Sequence, residues 1–385
     1  MRTCLLATLV LLVGGCSGNA PPALDADTLP GDAGAPQDGG PVDDAGHAGD
    51  DGGVRSDAGL PLANVHFVGR FDFSPGADTP WLAWPGSEIV ARFRGTSISV
   101  RLDDGGEDYF DAWVDGVRQP VLDMVGGPTT YPIASGLPDA EHVVRVVRRT
   151  ESFYGRTQFL GFPGATLVPS PAPYPHLVEI IGDSITCGYG VLGPDATCSF
   201  SADTESEPDA YGALATQLLG VGHAAIAYSG RGVYRNYGGT ADPLLPELFE
   251  RRFAEFTGDP WDFAYTPDAV VVTLGTNDFA MGDPGTAFVD AYDAFVVALR
   301  GHYPGTPILL ATSPMLGGLE HAQHRDYLAM VVARATSRGD AAVSIVDFDE
   351  QAPADGYGCD YHPSAATQMH MAARLVAALR GVTGW

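Results

Sequence analysis

Four short blocks of the sequence hold residue types that could carry out nucleophilic catalysis. They read Gly182-Asp183-Ser184-Ile185, Ser229-Gly230-Arg231-Gly232, Gly275-Thr276-Asn277-Asp278 and Asp360-Tyr361-His362-Pro363. A serine hydroxyl becomes an effective nucleophile when a base takes its proton, and histidine titrates close enough to neutrality to do so. Ser184 is therefore the candidate nucleophile and His362 the candidate base.

The two middle blocks supply candidate donors for the charge that such an attack creates. Attack on an ester places negative charge on the former carbonyl oxygen, and fixed N–H donors stabilise that charge. We expect these donors to be the backbone N–H groups of Ser184 and Gly230 and the side-chain amide of Asn277. Glycine at position 230 also permits close backbone approach and a positive φ. The combination predicts acyl transfer from an ester to water.

The blocks stand at the ends of predicted secondary-structure elements in residues 169–385. Three of them follow a buried strand, and the fourth precedes the last helix. The predicted strands are Leu177–Ile181, Ala224–Tyr228, Ala269–Leu274, Pro307–Ala311 and Val343–Val346, and the predicted helices are Asp209–Leu219, Pro243–Phe256, Thr286–Tyr303, His321–Ser337 and Ser364–Leu379. This alternation predicts a five-stranded parallel sheet covered by helices on both faces. The site of such a sheet lies beyond the carboxyl ends of its strands.

Residues 62–168 have a different periodicity, which predicts a separate β-sandwich domain. Apolar and polar residues alternate over short stretches such as 97–102, 110–114 and 143–148, as in half-buried strands. Four aromatic residues of this region could fill the core or could stack on sugar rings. They are Trp81, Trp84, Tyr109 and Trp113.

The N-terminal residues predict export. Arg2, the apolar run of residues 5–13 and the small residues before Cys16 form a signal peptide over residues 1–15. The run is too short for a membrane span, which needs roughly 20 apolar residues. Val13-Gly14-Gly15-Cys16 resembles the bacterial lipobox, which implies a lipid on Cys16 as the sole membrane attachment; an ordinary secretory signal is the alternative. Residues 16–61, rich in Asp, Gly, Ala and Pro, predict a disordered tether outside the cytoplasm.

Charge and cysteine usage narrow the possible partners. The net charge is −27, and no cluster of Lys and Arg suited to nucleic acid occurs in the sequence. Zinc spacings such as CxxC or HExxH are missing as well, so we expect no metal. Cys187, Cys198 and Cys359 allow one disulfide and one free thiol, with the pairing open.

The four blocks together resemble those of the SGNH, or GDSL-type, hydrolases. A finer resemblance, to carbohydrate esterase family 2, rests on residues 182–190 (GDSITCGYG), 229–236 (SGRGVYRN) and 360–364 (DYHPS). It implies a small β jelly-roll domain joined to an SGNH domain, and deacetylation of polysaccharides such as xylan or mannan. It also implies that neither a metal nor an organic cofactor takes part. The substrate expected from the resemblance is an acetylated polysaccharide or oligosaccharide.

One position departs from the family pattern. SGNH enzymes usually have an aspartate three residues before the histidine, and here that residue is Cys359. Asp360 is the nearest carboxylate and the candidate third catalytic residue, although a backbone carbonyl could orient His362 instead. Cys359 could instead be half of a disulfide that braces this loop against Cys187 or Cys198. Two neighbouring aromatic residues, Tyr361 and Phe279, are candidates for substrate contacts.

Two alternative functions stay open at this point. A lipolytic enzyme or arylesterase could use the same fold, but the polar and acidic segment 199–208 favours a hydrated substrate. A surface carbohydrate-binding protein with an inert hydrolase domain is the other alternative. The presence of the serine, glycine, asparagine and histidine argues against it.

Overall fold

The computed structural model describes residues 63–385. The predicted signal peptide, the predicted lipid on Cys16 and the predicted tether lie outside these residues. In the part that is described, every helix is too short or too polar to cross a membrane.

Residues 65–168 form an antiparallel β domain, as the alternating pattern predicted. All ten strands are joined in one sheet around a single buried core, and we refer to it as the β-sandwich domain. Its strands are β1 Val65–Val68, β2 Phe71–Asp72, β3 Trp81–Leu82, β4 Glu88–Asp104, β5 Tyr109–Val114, β6 Val117–Arg118, β7 Leu122–Asp123, β8 Gly127–Arg148, β9 Thr157–Phe159 and β10 Thr166–Val168. Strands β4 and β8 pair along almost their full lengths, with register shifts between Gly95 and Ser97 and between Ile98 and Ser99. Alternate residues of β5, such as Phe110 and Ala112, point into the sandwich core.

The four aromatic residues of this domain have different environments. Trp84 is fully buried and packs into the core of the second domain, where its Nε1 donates to the carbonyl oxygen of Arg252 at 2.7 Å. Trp81 and Trp113 are half-buried, and each has an arginine guanidinium over its ring. The hydroxyl of Tyr109 donates to Asp203. These contacts assign Trp84 to packing.

The second domain contains the predicted five-stranded parallel sheet. Its strands are β11 Leu177–Gly182, β12 Gly222–Ala227, β13 Ala269–Thr273, β14 Ile308–Ala311 and β15 Val343–Val346, in the order β12-β11-β13-β14-β15. Neighbouring residues of β13 point to opposite faces of the sheet. Val272 belongs to the buried core on one face and Val271 to the buried core on the other. Both faces are therefore covered.

The helices of the second domain supply the two covering layers. They are α1 Ser184–Cys187, α2 Tyr211–Leu219, α3 Leu245–Phe249, α4 Thr276–Phe279, α5 Thr286–His302, α6 Leu319–Ser337 and α7 Ala365–Thr383. Short 3₁₀ turns occupy Ser152–Tyr154, Ala202–Thr204, Glu207–Asp209, Tyr237–Gly239, Pro353–Asp355 and Cys359–Tyr361. Helices α5 and α6 pack on the Val272 face, and α2 and α7 pack on the Val271 face. The architecture is the three-layer arrangement of a parallel sheet between two helical layers that the sequence predicted.

The helix predicted over residues 243–256 is wrong in length, because α3 ends after five residues. The residues that follow make hydrogen bonds to the β-sandwich instead of continuing the helix. The carbonyl oxygen of Arg251 accepts from Arg70 at 2.9 Å, and that of Arg252 accepts from Trp84. A contact between domains thus overrides the local helical pattern.

Candidate active site

Ser184 lies at the carboxyl end of β11, as the first residue of α1. Asp183 caps this short helix, since its Oδ1 accepts from the backbone N–H of Ile185 at 3.1 Å. The preceding Gly182 is required by crowding, because a Cβ there would lie 1.9 Å from Oγ1 of Thr186. Ser184 is only 6% exposed, so the turn holds its side chain in one place.

His362 reaches Ser184 from the loop before α7. Its Nε2 lies 2.9 Å from the Oγ of Ser184, which is hydrogen-bond distance for proton transfer. Burial lowers the pKa of His362 to about 4, and hydrogen bonds from its surroundings offset only part of that effect. The imidazole is therefore neutral at pH 7, the form that accepts a proton.

The carbonyl oxygen of Cys359 orients His362, so the prediction of Asp360 in this role is wrong. Nδ1 of His362 lies 3.2 Å from that oxygen, which also accepts the backbone N–H of His362 at 3.0 Å. The Asp360 carboxylate has other partners, because its Oδ2 accepts from the Tyr189 hydroxyl at 2.7 Å and from the Phe200 N–H at 3.0 Å. Of the two possibilities that the sequence left open, the structure has the backbone carbonyl.

A tight turn explains this arrangement. Asp360 and Tyr361 both have left-handed backbones, with φ of 50° and 62°. Such a conformation is uncommon for residues other than glycine. The turn brings the imidazole of His362 back over the carbonyl of Cys359, and the Asp360 side chain then reaches Tyr189.

A disulfide between Cys198 and Cys359 fixes the start of this turn. The backbone N–H of Asp360 donates to the carbonyl of Cys198 at 3.0 Å, and that of Cys359 donates to Gly190 at 3.1 Å. Cys187 is the free, buried thiol. The histidine loop is thus tied to the segment that follows the nucleophile.

Tyr189 is a site residue that the sequence reasoning missed. Its ring stacks on that of His362 with centroids 3.9 Å apart, and the Phe200 ring stacks on its other side at 4.3 Å. The signal that could have found it is its place in residues 182–190, five positions after the nucleophile and within the segment that carries the family resemblance.

The three predicted oxyanion donors lie around the same cleft. Within residues 63–385, the backbone N–H groups of Ser184 and Gly230 have no protein acceptor, and Gly230 has a φ of 78° that favours glycine. The amide Nδ2 of Asn277 donates to the carbonyl of Arg231 at 2.9 Å and to Oδ2 of Asp183 at 3.1 Å. Donation by Asn277 to an oxyanion therefore requires it to share or exchange one of these bonds.

Asp278 joins the Gly230 loop to the Asn277 block. Its carboxylate accepts the successive backbone N–H groups of Val233, Tyr234 and Arg235 at 3.2, 2.8 and 2.9 Å. Asp278 thus stabilises the loop that follows Gly230 by accepting these N–H groups.

An open cleft of about 780 Å³ exposes the serine and the histidine. Phe279 contributes to its wall but is only 3% exposed, and its ring packs against Phe288 and His324 in the core. The ring of Phe279 therefore presents little surface for a sugar to stack on, and its contact with substrate stays a prediction. Tyr361 is 62% exposed and lies outside the wall of the cleft, so its contact with substrate stays a prediction.

The polar and acidic segment 199–208, whose composition favours a hydrated substrate, lies away from the cleft wall. Glu205, Ser206 and Glu207 are buried, and none of the segment lines the cleft. Glu205 instead lies beside Glu151 and Cys187. The potential metal-ligating atoms of these three residues lie within 4.8 Å of one another, and they form the one group among the described residues that could hold a metal ion. This group lies outside the wall of the cleft.

The geometry can be compared with known proteins. Residues 67–171 match the family model "Carbohydrate esterase 2 N-terminal", and residues 180–369 match "GDSL-like Lipase/Acylhydrolase family". The cellulase/esterase CelE of Acetivibrio thermocellus is 38% identical over 325 residues, which cover 83% of this chain and 40% of that protein. An acetylxylan esterase / glucomannan deacetylase of Cellvibrio japonicus is 25% identical over 332 residues, which cover 84% and 90%.

A solved structure gives the same result over a whole chain. The family two carbohydrate esterase from Clostridium thermocellum in complex with cellohexaose is 38% identical and superposes with a TM-score of 0.79. The match covers 83% of this chain and 99% of that one. Both domains and their order are therefore shared, and the chain belongs to carbohydrate esterase family 2.

Proposed function

We propose that the protein removes O-acetyl groups from polysaccharides of the xylan or mannan type. The observation that carries the proposal is the 2.9 Å contact between Ser184 Oγ and His362 Nε2 at the open cleft. An acetylated polysaccharide or oligosaccharide is the proposed partner, because relatives carry the names acetylxylan esterase and glucomannan deacetylase. A similar enzyme was solved with cellohexaose.

The proposed reaction has two half-reactions. Ser184 Oγ attacks the acetyl carbonyl while His362 Nε2 takes the serine proton. The N–H groups of Ser184, Gly230 and Asn277 then stabilise the negative oxygen of the tetrahedral intermediate. His362 returns the proton to the sugar oxygen as the carbon–oxygen bond breaks, which leaves acetyl-Ser184. Water, deprotonated by His362, attacks this ester, and the released products are acetate and free Ser184.

The environment of the base supports these roles. His362 is neutral at pH 7 because burial lowers its pKa. The carbonyl of Cys359 accepts from Nδ1–H and so leaves the lone pair on Nε2, directed at Ser184. Because the partner of Nδ1 is a backbone carbonyl in place of the usual carboxylate, we propose a Ser-His dyad. A carbonyl stabilises the imidazolium less than a carboxylate does.

Acetate release from acetylated xylan and acetylated glucomannan tests the proposal, with Ser184→Ala and a series of aryl esters from acetate to octanoate alongside. Serine-dependent release of acetate, with aryl ester activity falling as the acyl chain lengthens, is the expected result. Activity that rises with acyl length would favour the lipolytic or arylesterase alternative. Binding of the polysaccharide without hydrolysis would favour the alternative of a carbohydrate-binding protein with an inert hydrolase domain.

We also propose that the protein is exported and held at a membrane by a lipid on Cys16. The support is the sequence of residues 13–16, which lies outside the described residues. Metabolic labelling with a fatty acid in a bacterial host, compared between the full chain and Cys16→Ser, tests it. Label that persists in the variant would contradict the proposal.

A further inference from the structure

A buried glutamate of the β-sandwich domain contacts the loop that carries a predicted oxyanion donor. Glu151 follows β8 and is fully buried. Its Oε2 accepts the backbone N–H of Ser229 at 2.7 Å, and its Oε1 accepts the hydroxyl of the same serine. The carboxylate thus holds both donors of one residue.

Ser229 immediately precedes Gly230. The carbonyl of Gly230 accepts from the backbone N–H of Tyr237 at 2.9 Å, so the loop is fixed on that side as well. The Gly230 N–H belongs to the peptide group that Ser229 begins, and its direction depends on where Ser229 is held. Glu151 determines that position from outside residues 180–369, which match the hydrolase model.

The surroundings of Glu151 suit an acceptor role. Glu205 and the thiol of Cys187 are its buried neighbours: the backbone N–H of Glu151 donates to Glu205 Oε2 at 3.2 Å, and Cys187 Sγ lies 3.6 Å from Glu151 Oε2. Burial, followed by repulsion from Glu151, raises the pKa of Glu205 well above its usual range. Burial also raises the pKa of Cys187 and that of Glu151, and the hydrogen bonds from Glu205 and Ser229 counter this effect at Glu151. The two bonds from Ser229 themselves identify Glu151 as the acceptor.

We propose that Glu151 is a positioning residue for ester hydrolysis, which aims the N–H of Gly230 at the oxyanion by holding Ser229. This inference rests on the proposed esterase function. Through Glu151, the β-sandwich domain is a structural part of the active site. This role of the domain is separate from any role in binding polysaccharide. The effect of Glu151 is on the stability of the transition state, because the Gly230 N–H that it aims donates to the oxyanion. A small misplacement of such a donor can cost about 10²-fold in turnover.

The test compares Glu151→Ala, Glu151→Gln and Ser229→Ala in the protein with both domains, using an aryl acetate. E151A is expected to lower kcat by about 10²-fold with little change in KM. E151Q keeps an acceptor oxygen for the Ser229 N–H, so its kcat should stay within about tenfold of the wild type. S229A retains the N–H bond and loses the hydroxyl bond, so its loss of kcat should be smaller than that of E151A.

A ligand that mimics the oxyanion separates positioning from general stability. Methylboronic acid adds to Ser184 Oγ as a tetrahedral anion, so its dissociation constant should rise in E151A and S229A in proportion to the fall in kcat/KM. The affinity for a deacetylated xylooligosaccharide should not change. Glu88→Ala is the matched control, because Glu88 is a buried glutamate of the same domain that bonds Arg145 and Tyr174 away from the cleft. E88A should lower the Tm and leave kcat and boronate affinity unchanged.

Unchanged kcat and unchanged boronate affinity in folded E151A would overturn the proposal. If E151A does not fold, the same outcome in S229A would overturn it. A loss of kcat in E88A equal to that in E151A would also overturn the proposal, because it would show that any loss of a buried contact in this domain lowers kcat. A wild-type protein without Ser184-dependent hydrolysis would contradict the proposed function itself, a result that differs from all of these.

Discussion

The imidazole of His362 stacks on the ring of Tyr189, with centroids 3.9 Å apart and planes inclined by 24°. The hydroxyl of Tyr189 donates to the Asp360 carboxylate at 2.7 Å. Asp360 is therefore connected to the base through an aromatic ring, and the hydrogen-bond partner of Nδ1 is the carbonyl of Cys359. The proposed catalytic pair thus depends on a loop conformation and a stacked ring.

Asp360→Asn should reduce kcat/KM for an aryl acetate by less than about tenfold, since the amide oxygen of asparagine can still accept from Tyr189 and Phe200. His362→Ala should reduce it by about 10²–10⁴-fold, because general base catalysis is lost. Steady-state kinetics at pH 7 check both values. A loss in D360N as large as that in H362A would show that Asp360 is a member of a catalytic triad after all.

Tyr189→Phe keeps the stacked ring and removes the bond to Asp360, whereas Tyr189→Ala removes the support of the imidazole. We expect Y189F to resemble D360N and the double variant Y189F/D360N to be no worse than the single variants, because both changes act on the same hydrogen bond between Tyr189 and Asp360. Y189A should be the most damaged of the set in kcat. Additive losses in the double variant would show that the two residues act independently.

The pH dependence of kcat/KM should have its acid limb near pH 4 and a plateau from pH 6 to 8. His362 must be neutral to accept the serine proton, and its pKa of about 4 keeps it neutral above that pH. A histidine with the ordinary pKa of about 6.5 would lose activity already below pH 6.5. Initial rates between pH 3.5 and 8 with an aryl acetate distinguish the two cases, and an inflection near 6.5 would contradict the burial argument. Circular dichroism at each pH controls for unfolding.

Loss of the Cys198–Cys359 disulfide should lower both stability and turnover. The double variant Cys198→Ser/Cys359→Ser is expected to lose about 2–4 kcal/mol of unfolding free energy. Its kcat should fall as well, because the carbonyl that orients His362 belongs to Cys359. Denaturant unfolding and aryl acetate kinetics check the two effects. Dithiothreitol should reproduce the loss in the wild type and have no further effect on the variant; a stable and fully active variant would contradict the role of the disulfide.

Asn277→Ala should lower kcat by about 10²–10³-fold, the usual result of removing one oxyanion donor. Asn277→Asp is expected to be at least as damaging, because a carboxylate of similar shape cannot donate and repels the oxyanion. In both variants KM should change less than kcat. If N277A retains full turnover, the two bonds that Asn277 makes to Asp183 and Arg231 describe its whole role.

The second domain and its sheet could be predicted because parallel strands leave a strong local pattern. Continuous apolar strands alternate with helical segments, and the polar blocks after β11, β12 and β13 meet at one edge for geometric reasons. Ser184, Gly230 and Asn277 could be located from that rule alone. Where a contact between domains competed with the local pattern, as at the end of α3, the sequence prediction was wrong.

The sequence by itself determined which residues stand at the strand ends and therefore which chemistry is available there. Only the tertiary structure decided the partner of His362 Nδ1, the pairing of Cys198 with Cys359 and the contact between Glu151 and Ser229. The physical reason is that backbone direction in a left-handed turn, and contacts between residues far apart in sequence, leave no periodic signal in the chain.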